Sequence, residues 1–275
     1  MKAAKSFSDG MKRFAAAAVS IGLFLVIWFL ATNGTEFGKL MPKPTTVLYA
    51  LGRSFFDPIG KYFIWQHVLI SLRRVMVAWG AACIIGNILG LAMARNRIVE
   101  AVVRPFYEII RPIPPIAWIS MAILWFGLGE MMKYFIIFLS AFASITYSTF
   151  SGARKVDPKL IGAAQMLGAK NLQVFLTIIL PGSIPYVFSG MQVALGTSWA
   201  TVVAAEMVRS SEGVGWIIVS GMESNNMRQI MVGIVTIGIV GLLLTTLLRK
   251  VEDVLCAWKK VADERYQRGS MWKQF

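Results

Sequence analysis

The chain has 275 residues, of which 56% are hydrophobic, 12% aromatic and only 15% charged, and it carries a formal net charge of +14. Soluble domains average roughly 45–50% apolar and about 25% charged residues, so this composition excludes an ordinary soluble domain and points to a polytopic membrane protein. The positive charge does not indicate a nucleic-acid partner, because the basic residues lie in short segments between apolar runs, the pattern that sets membrane topology.

Lys2, Lys5, Lys12 and Arg13 precede an apolar run from Phe14 to Ala31. This has the outline of a signal peptide. The run is nevertheless long enough to span, and Thr32-Asn33-Gly34-Thr35-Glu36 offers no small-residue cleavage site. A retained first helix over 14–32 is the expectation. Residues 33–65 contain Pro42, Pro44, Pro58 and Gly60 and read as an extended stretch followed by an interfacial amphipathic helix near 44–56. Five further spans are expected at 68–94, 112–129, 132–152, 184–205 and 229–249, each close to the ~20 residues a bilayer needs. Gly127-Leu128-Gly129-Glu130 is a tight hairpin between the third and fourth. The chain thus divides into 1–65 (first helix and outer segment), 66–255 (core) and 256–275 (basic tail). No internal repeat is visible.

With the N-terminus inside, nineteen of the 28 Lys and Arg fall on inner segments and seven on outer ones, and Arg73 and Arg74 lie within the second span. This asymmetry places both termini in the cytoplasm, together with the 95–111 and 153–183 segments. Cys83 sits in an apolar run and Cys256 in the tail on the reducing side, so no disulfide is expected.

Charges inside a span are costly and face a cavity or a partner. Arg73 and Arg74 therefore have two readings: attraction of an anionic substrate, or snorkelling and pairing with Glu130 or Glu206. Glu206 has the wrong sign for an anion and reads as a structural or gating partner. Pro112, Pro114 and Pro115 remove three backbone donors, which marks either a bend lining a path or the simple start of a helix. Trp118, Trp125 and Trp199 are path or packing residues. Gly213, Gly215 and Gly221 lie in an expected outer loop over 206–228, which either covers the path or merely connects. His67 is the sole histidine and has no second ligand at useful spacing, so no metal site is expected. No phosphate-cradling Gly-x4-Gly-Lys-Ser/Thr sequence is present and no nucleophile–base pair stands out.

Residues 162–181 read GAAQMLGAKNLQVFLTIILP. Asp157-Pro158 is a helix start, two turns follow with Leu160, Ile161, Ala164 and Leu167 on one side, and Gly168 breaks the helix. Asn171 is the expected cap of a second helix that ends at Pro181. The spacing AA-x3-G-x9-I-x-L-P resembles the cytoplasmic coupling motif of ABC importer permeases, with Gly162 standing where that motif has an acid. Trp65-Gln66-His67, Ser71-Leu72-x-Arg74, Arg111-Pro112-Ile113-Pro114-Pro115-Ile116-Ala117-Trp118, Trp125-Phe126-Gly127-Leu128-Gly129-Glu130 and Val203-Ala204-Ala205-Glu206-Met207 extend the likeness from about Leu48 to Val251. Within these permeases the sequence looks closest to the nitrate, taurine, alkanesulfonate and bicarbonate group.

The resemblance implies an all-α, type I ABC importer permease-like protein of the bacterial inner membrane. Its short helix over 157–168, with Leu160, Gly162, Ala163, Ala164, Leu167, Gly168 and Ala169, would dock on separate ATPase subunits. It further implies a homodimer in lipid, an extracytoplasmic substrate-binding protein, a small anion as cargo, and no cofactor in this chain, ATP and Mg belonging to the partner. Candidate path residues are Arg73, Arg74, Pro114, Pro115, Trp118, Trp199 and Glu206. The competing reading, a stand-alone secondary transporter or channel, requires intramembrane carboxylates for coupling, and the expected spans have almost none.

Overall fold

The computed structural model describes residues 2–255, with side chains for 15–38 and 40–254; the basic tail and Cys256 lie outside the described residues. Regular structure is helical: α1 (Lys2–Thr32), α2 (Phe37–Leu40), α3 (Pro44–Arg53), α4 (Ile64–Arg95), α5 (Arg97–Ile110), a 3-10 turn (Pro115–Trp118) leading into α6 (Ile119–Phe126), α7 (Glu130–Arg154), α8 (Pro158–Met166), α9 (Asn171–Val174), a π turn (Phe175–Ile179) leading into α10 (Leu180–Val208), α11 (Val214–Glu223) and α12 (Met227–Leu255). Among the described residues, five stretches are long and apolar enough to cross a membrane: Ala15–Thr32, Ile64–Arg95, Glu130–Arg154, Asn171–Val208 and Met227–Val254.

The expected third span, 112–129, is not one straight helix. Its place is taken by α5 and the Pro115–Phe126 helix, bent by 88° at residues 111–114, and they make a sixth span only when counted together. The prolines explain the break: Pro112, Pro114 and Pro115 lack N–H donors, and Pro114, held before Pro115, is extended at φ −56 and ψ 135. The expected inner loop 95–111 is largely the amphipathic α5. Asn96 caps it by accepting from Ile98 N–H at 2.8 Å, and Arg104 bridges Glu100 (3.3 Å) and Glu108 (2.7 Å) one turn either side. Ile98, Val102, Phe106 and Ile109 line an exposed apolar face.

Three other boundaries shift. Pro181 does not end a helix. Leu180 N–H reaches back five residues to Phe175 O, and this wide turn brings Pro181 into the first turn of α10, where its missing N–H costs little. Asn171 is not the cap; Lys170 is, with its own N–H held by Gln173 Oε1 at 2.9 Å. The expected outer loop 206–228 contains α11.

By contact the chain falls into two units, one running up to Gln66 with Ile217–Thr236 and the other comprising His67–Trp216 with Ile237 onward. In the first, α1 packs on α2 and α3, and the apolar side chains of α1 from Val19 to Leu30 are largely exposed, as lipid contact requires. Val47 of α3 is buried, and Ile64 N–H closes on Ser54 O at 3.2 Å.

The second unit is built on α7 against α10. Ile137, Leu195, Trp199 and Val202 share a buried cluster with Val75 and Ala78 of α4, and Trp199 Nε1 donates to Ile237 O at 3.0 Å. Small residues set the approach of the helices: a side chain at Gly190 would collide with Ser148 of α7, and one at Gly90 of α4 would lie 2.8 Å from Thr146 O.

At one end of this unit Arg74, fully buried, holds three carboxylates. Its Nε and Nη2 grip Glu130 at 2.8 and 2.6 Å, Nη1 donates to buried Glu206 at 2.8 Å, and Nη2 reaches Glu212 at 3.2 Å. Lys133 donates to Glu130 (2.8 Å) and to Ser210 Oγ (3.1 Å). Glu206 also accepts from Ser71 Oγ (2.7 Å) and Gly215 N–H (2.9 Å), and Ser71 Oγ accepts from Val214 N–H (3.0 Å). His67 stacks on Trp216 and accepts Gly213 N–H at Nδ1 (3.0 Å), so that nitrogen carries no proton. Glycine is required in this turn: Gly213 has φ +107, and a side chain there or at Gly215 would strike Glu206.

Removing one member of a buried, hydrogen-bonded charge set leaves the others uncompensated, at about 3–5 kcal/mol. Arg74→Ala is therefore expected to lower the thermal unfolding midpoint of the detergent-purified protein sharply, and Arg74→Lys, which lacks the two-pronged geometry, to recover only part of it. Arg73→Ala, one residue away but exposed, should lie within about 0.5 kcal/mol of the native chain.

Candidate functional site

The first candidate surface is α8. Asp157 caps it through Lys159 N–H at 2.9 Å, Pro158 fills the first position, and none of its residues is buried. Its C-terminus explains the Ala-Ala-x3-Gly spacing. Gly168 N–H donates to Gln165 O and Ala169 N–H to Ala164 O, both at 3.0 Å, with Gly168 at φ +85. This pair of bonds is the Schellman ending, in which the left-handed residue lies four positions after the residue whose carbonyl closes the outer bond. The motif therefore encodes a helix stop.

The helix presents Leu160, Ala163, Ala164 and Leu167 along one side, and Met166 and Leu167 are 85% and 89% exposed. These apolar side chains are left uncovered at a capped and terminated helix, the kind of surface that a partner can cover. A side chain at Gly162 would meet nothing within 4 Å, so its place in the motif is free of steric constraint. Gly168→Ala forces a β-carbon into the left-handed region at about 1–2 kcal/mol, and faster amide hydrogen exchange is expected across 158–169. Gly162→Ala should slow exchange over the same residues, by up to about 1 kcal/mol of helix stability.

The second candidate is a cleft of about 520 Å³ where α7 and α10 face the 110–115 bend. Ser140, Ser144 and Ser148 of α7 and Thr197 and Thr201 of α10 line it, with Arg111, Tyr147 and Pro115 at one end and no carboxylate among its lining residues. Arg111 lies 4.0 Å over the Tyr147 ring. Its guanidinium forms no ion pair or hydrogen bond among the described residues, and Glu108 nearby is held by Arg104. Thr201 Oγ1 links to Ser140 Oγ at 3.1 Å, whereas Ser144 and Ser148 have no hydrogen-bond partner among the described residues.

The residues singled out in the sequence are dispersed among these features. Arg73 is exposed on α4. Arg74 and Glu206 belong to the buried ion network. Pro115 lines the cleft and Pro114 is exposed in the bend. Trp118 is half-buried with Nε1 lacking a partner, and Trp199 is packed within the α4–α7–α10 core. Sequence reasoning did not single out the hydroxyls of the cleft or the place of Arg111 in it. The available signal was serine at every fourth position of α7 and threonine at the same interval on α10, each a single helix face.

The family described as binding-protein-dependent transport system inner membrane component matches residues 86–255. The chain is 34% identical over 249 residues to the taurine transport system permease protein TauC of Escherichia coli (strain K12), covering 87% of this chain and 89% of that protein. It is 31% identical over 243 residues to the nitrate import permease protein NrtB of Synechocystis sp. (strain ATCC 27184 / PCC 6803 / Kazusa), covering 86% and 88%. Its fold matches a chain of the inward-facing MetNI methionine ABC transporter with a TM-score of 0.58 at 18% identity, covering 78% of this chain and 99% of that one. The chain belongs to the inner-membrane components of binding-protein-dependent transport systems, as an ABC importer permease of the nitrate, taurine and sulfonate group.

Proposed function

We propose that the chain works as a pair of copies forming a path for a small anion, with both termini in the cytoplasm, α8 docked on separate ATPase subunits that bind ATP and Mg, and an extracytoplasmic binding protein delivering cargo. The observation that carries the coupling role is the uncovered apolar side of α8, held rigid between an Asp157-Pro158 cap and the Gly168 stop. Small side chains at Ala163 and Ala164 allow a partner surface to approach closely. The names of the relatives, taurine and nitrate permeases, together with a cleft holding a cation and no carboxylate, favour an anion such as a sulfonate, nitrate or bicarbonate.

A groove of hydroxyls and a guanidinium facing hydrocarbon would be costly, which supports closure by a second copy around an aqueous path. A stand-alone transporter coupled to protons or ions needs a free carboxylate. Glu130, Glu206 and Glu212 are instead engaged by Arg74.

Co-purification tests the coupling role. Leu167→Asp or Ala164→Trp is expected to reduce capture of the ATPase subunits and ATP-dependent uptake by about tenfold or more, equivalent to about 1.4 kcal/mol at the interface. Leu124→Gln on exposed α6 should leave capture unchanged. Native capture and uptake in both α8 variants would sink the docking assignment.

A further inference from the structure

We infer that the α7–α10 cleft is an oxyanion subsite within the path, with Arg111 as its charged end and the hydroxyls of Ser144, Ser148 and Thr197 as its neutral wall. This deepens the anion-importer reading and rests on it. Three observations meet here. First, Arg111 is the one charged residue lining the cleft, and it makes no ion pair among the described residues. The buried Arg74 shows the opposite state, with three carboxylates on one guanidinium. Second, the Arg111 guanidinium carbon lies over the Tyr147 ring, 4.0 Å from its centroid. A ring contact of this kind restrains the guanidinium without neutralising it, and its N–H groups match two oxygens of a sulfonate, nitrate or carboxyl-type anion.

Third, the wall beyond Arg111 offers O–H donors without fixed charge. The hydroxyls of Ser144 and Ser148, one turn apart, lack partners among the described residues, whereas that of Thr197 on the facing helix donates to Ala194 O at 3.0 Å and must turn from it to serve an anion. Hydroxyls rotate to donate to an oxyanion at any position along the wall. A single guanidinium with neutral donors holds an anion without trapping it, which a path requires: binding must be favourable enough for arrival and weak enough for departure. The cleft spans the middle of α7 and α10, so an anion bound there lies at mid-membrane depth.

The assembled importer, with its ATPase subunits and binding protein in vesicles, provides the test, with taurine and nitrate as probes and both uptake and ATP hydrolysis recorded. Arg111→Gln is expected to lower the anion moved per ATP about tenfold. Arg111→Lys, which keeps the charge but not the fork, should fall between Arg111→Gln and the native chain. Thr197→Val and Ser144→Ala should change the taurine-to-nitrate ratio several-fold, an effect that a purely structural role would not produce. Arg97→Gln makes the same charge change on α5 away from the cleft and should match the native chain. Native anion-per-ATP values in Arg111→Gln, or equal losses in Arg97→Gln and Arg111→Gln, overturn the subsite while leaving the importer reading standing. A native assembly that hydrolyses ATP but moves neither probe nor bicarbonate overturns the anion reading itself. Loss of monodisperse protein in Arg111→Gln transfers the decision to Arg111→Lys and the two hydroxyl variants, for which unchanged uptake and unchanged probe ratio overturn the subsite.

Discussion

The structure of the larger unit depends on the guanidinium of Arg74. A fully buried arginine is tolerable only when its N–H groups find anionic acceptors in good geometry. Here those acceptors come from the start of α7, the end of α10 and the turn that follows α10. One residue of α4 therefore fixes the ends of two other helices and the connection to α11. Ser71, one turn before Arg74 on the same face, repeats the arrangement by donating to Glu206 while accepting from Val214. The glycines at 213 and 215 follow from this. The Glu206 carboxylate leaves no room for a β-carbon at Gly213, and Val203 O with Glu206 Cβ leaves none at Gly215.

The same chain handles two arginines in opposite ways, one compensated by carboxylates and one not. Arg74 is surrounded by more negative than positive charge, counting Lys133 with it against Glu130, Glu206 and Glu212. It has no capacity left for a travelling anion. Arg111 faces a cleft without carboxylates and rests on an aromatic ring, which holds it in place without neutralising it. Field strength at a site depends on what remains uncompensated there, which is why the proposed anion subsite is placed on Arg111 and not on Arg74.

Much of this fold was legible in the sequence because apolar length and basic asymmetry are strong signals. Five of the six expected spans correspond to single helices or helix segments, and the hairpin at 127–130 and the α8 boundaries fell close to their expected positions. The third span did not, for a local reason. Hydropathy counts residues and is blind to direction, whereas Pro112, Pro114 and Pro115 turn the backbone by 88°. Pro181 misled in the opposite sense, because the π turn before it absorbs the steric demand that ends ordinary helices. At the ion network the sequence named Arg74, Glu130 and Glu206 as possible partners, but Glu212 and Lys133 join only through tertiary folding. The cleft was hardest to foresee. Serine and threonine satisfy themselves on their own helix in most settings, as Thr201 does with Thr197 O at 2.8 Å, so their spacing becomes informative only once the facing helix is in place.

The covalent connections of α8 give the proposed docking a mechanical consequence. Its N-terminal side joins α7 through residues 155–157, and its C-terminal side joins α10 through α9 and the π turn. A partner that displaces α8 therefore acts on both helices bordering the cleft. Their far ends are clamped together by Arg74, so displacement at the near end becomes a change of angle and not a translation of the whole pair. Arg154 at the near end of α7 also holds Glu100 of α5 at 2.9 Å, and α5 leads directly to Arg111. The same displacement thus reaches the cleft wall and its charged end. The π turn Phe175–Ile179 lies in this circuit between α8 and α10, and turns of this kind recur at functional positions. Gly162 fits this arrangement: with open space around it, α8 keeps its cap, its stop and its two connections without the acid that the motif carries at that position.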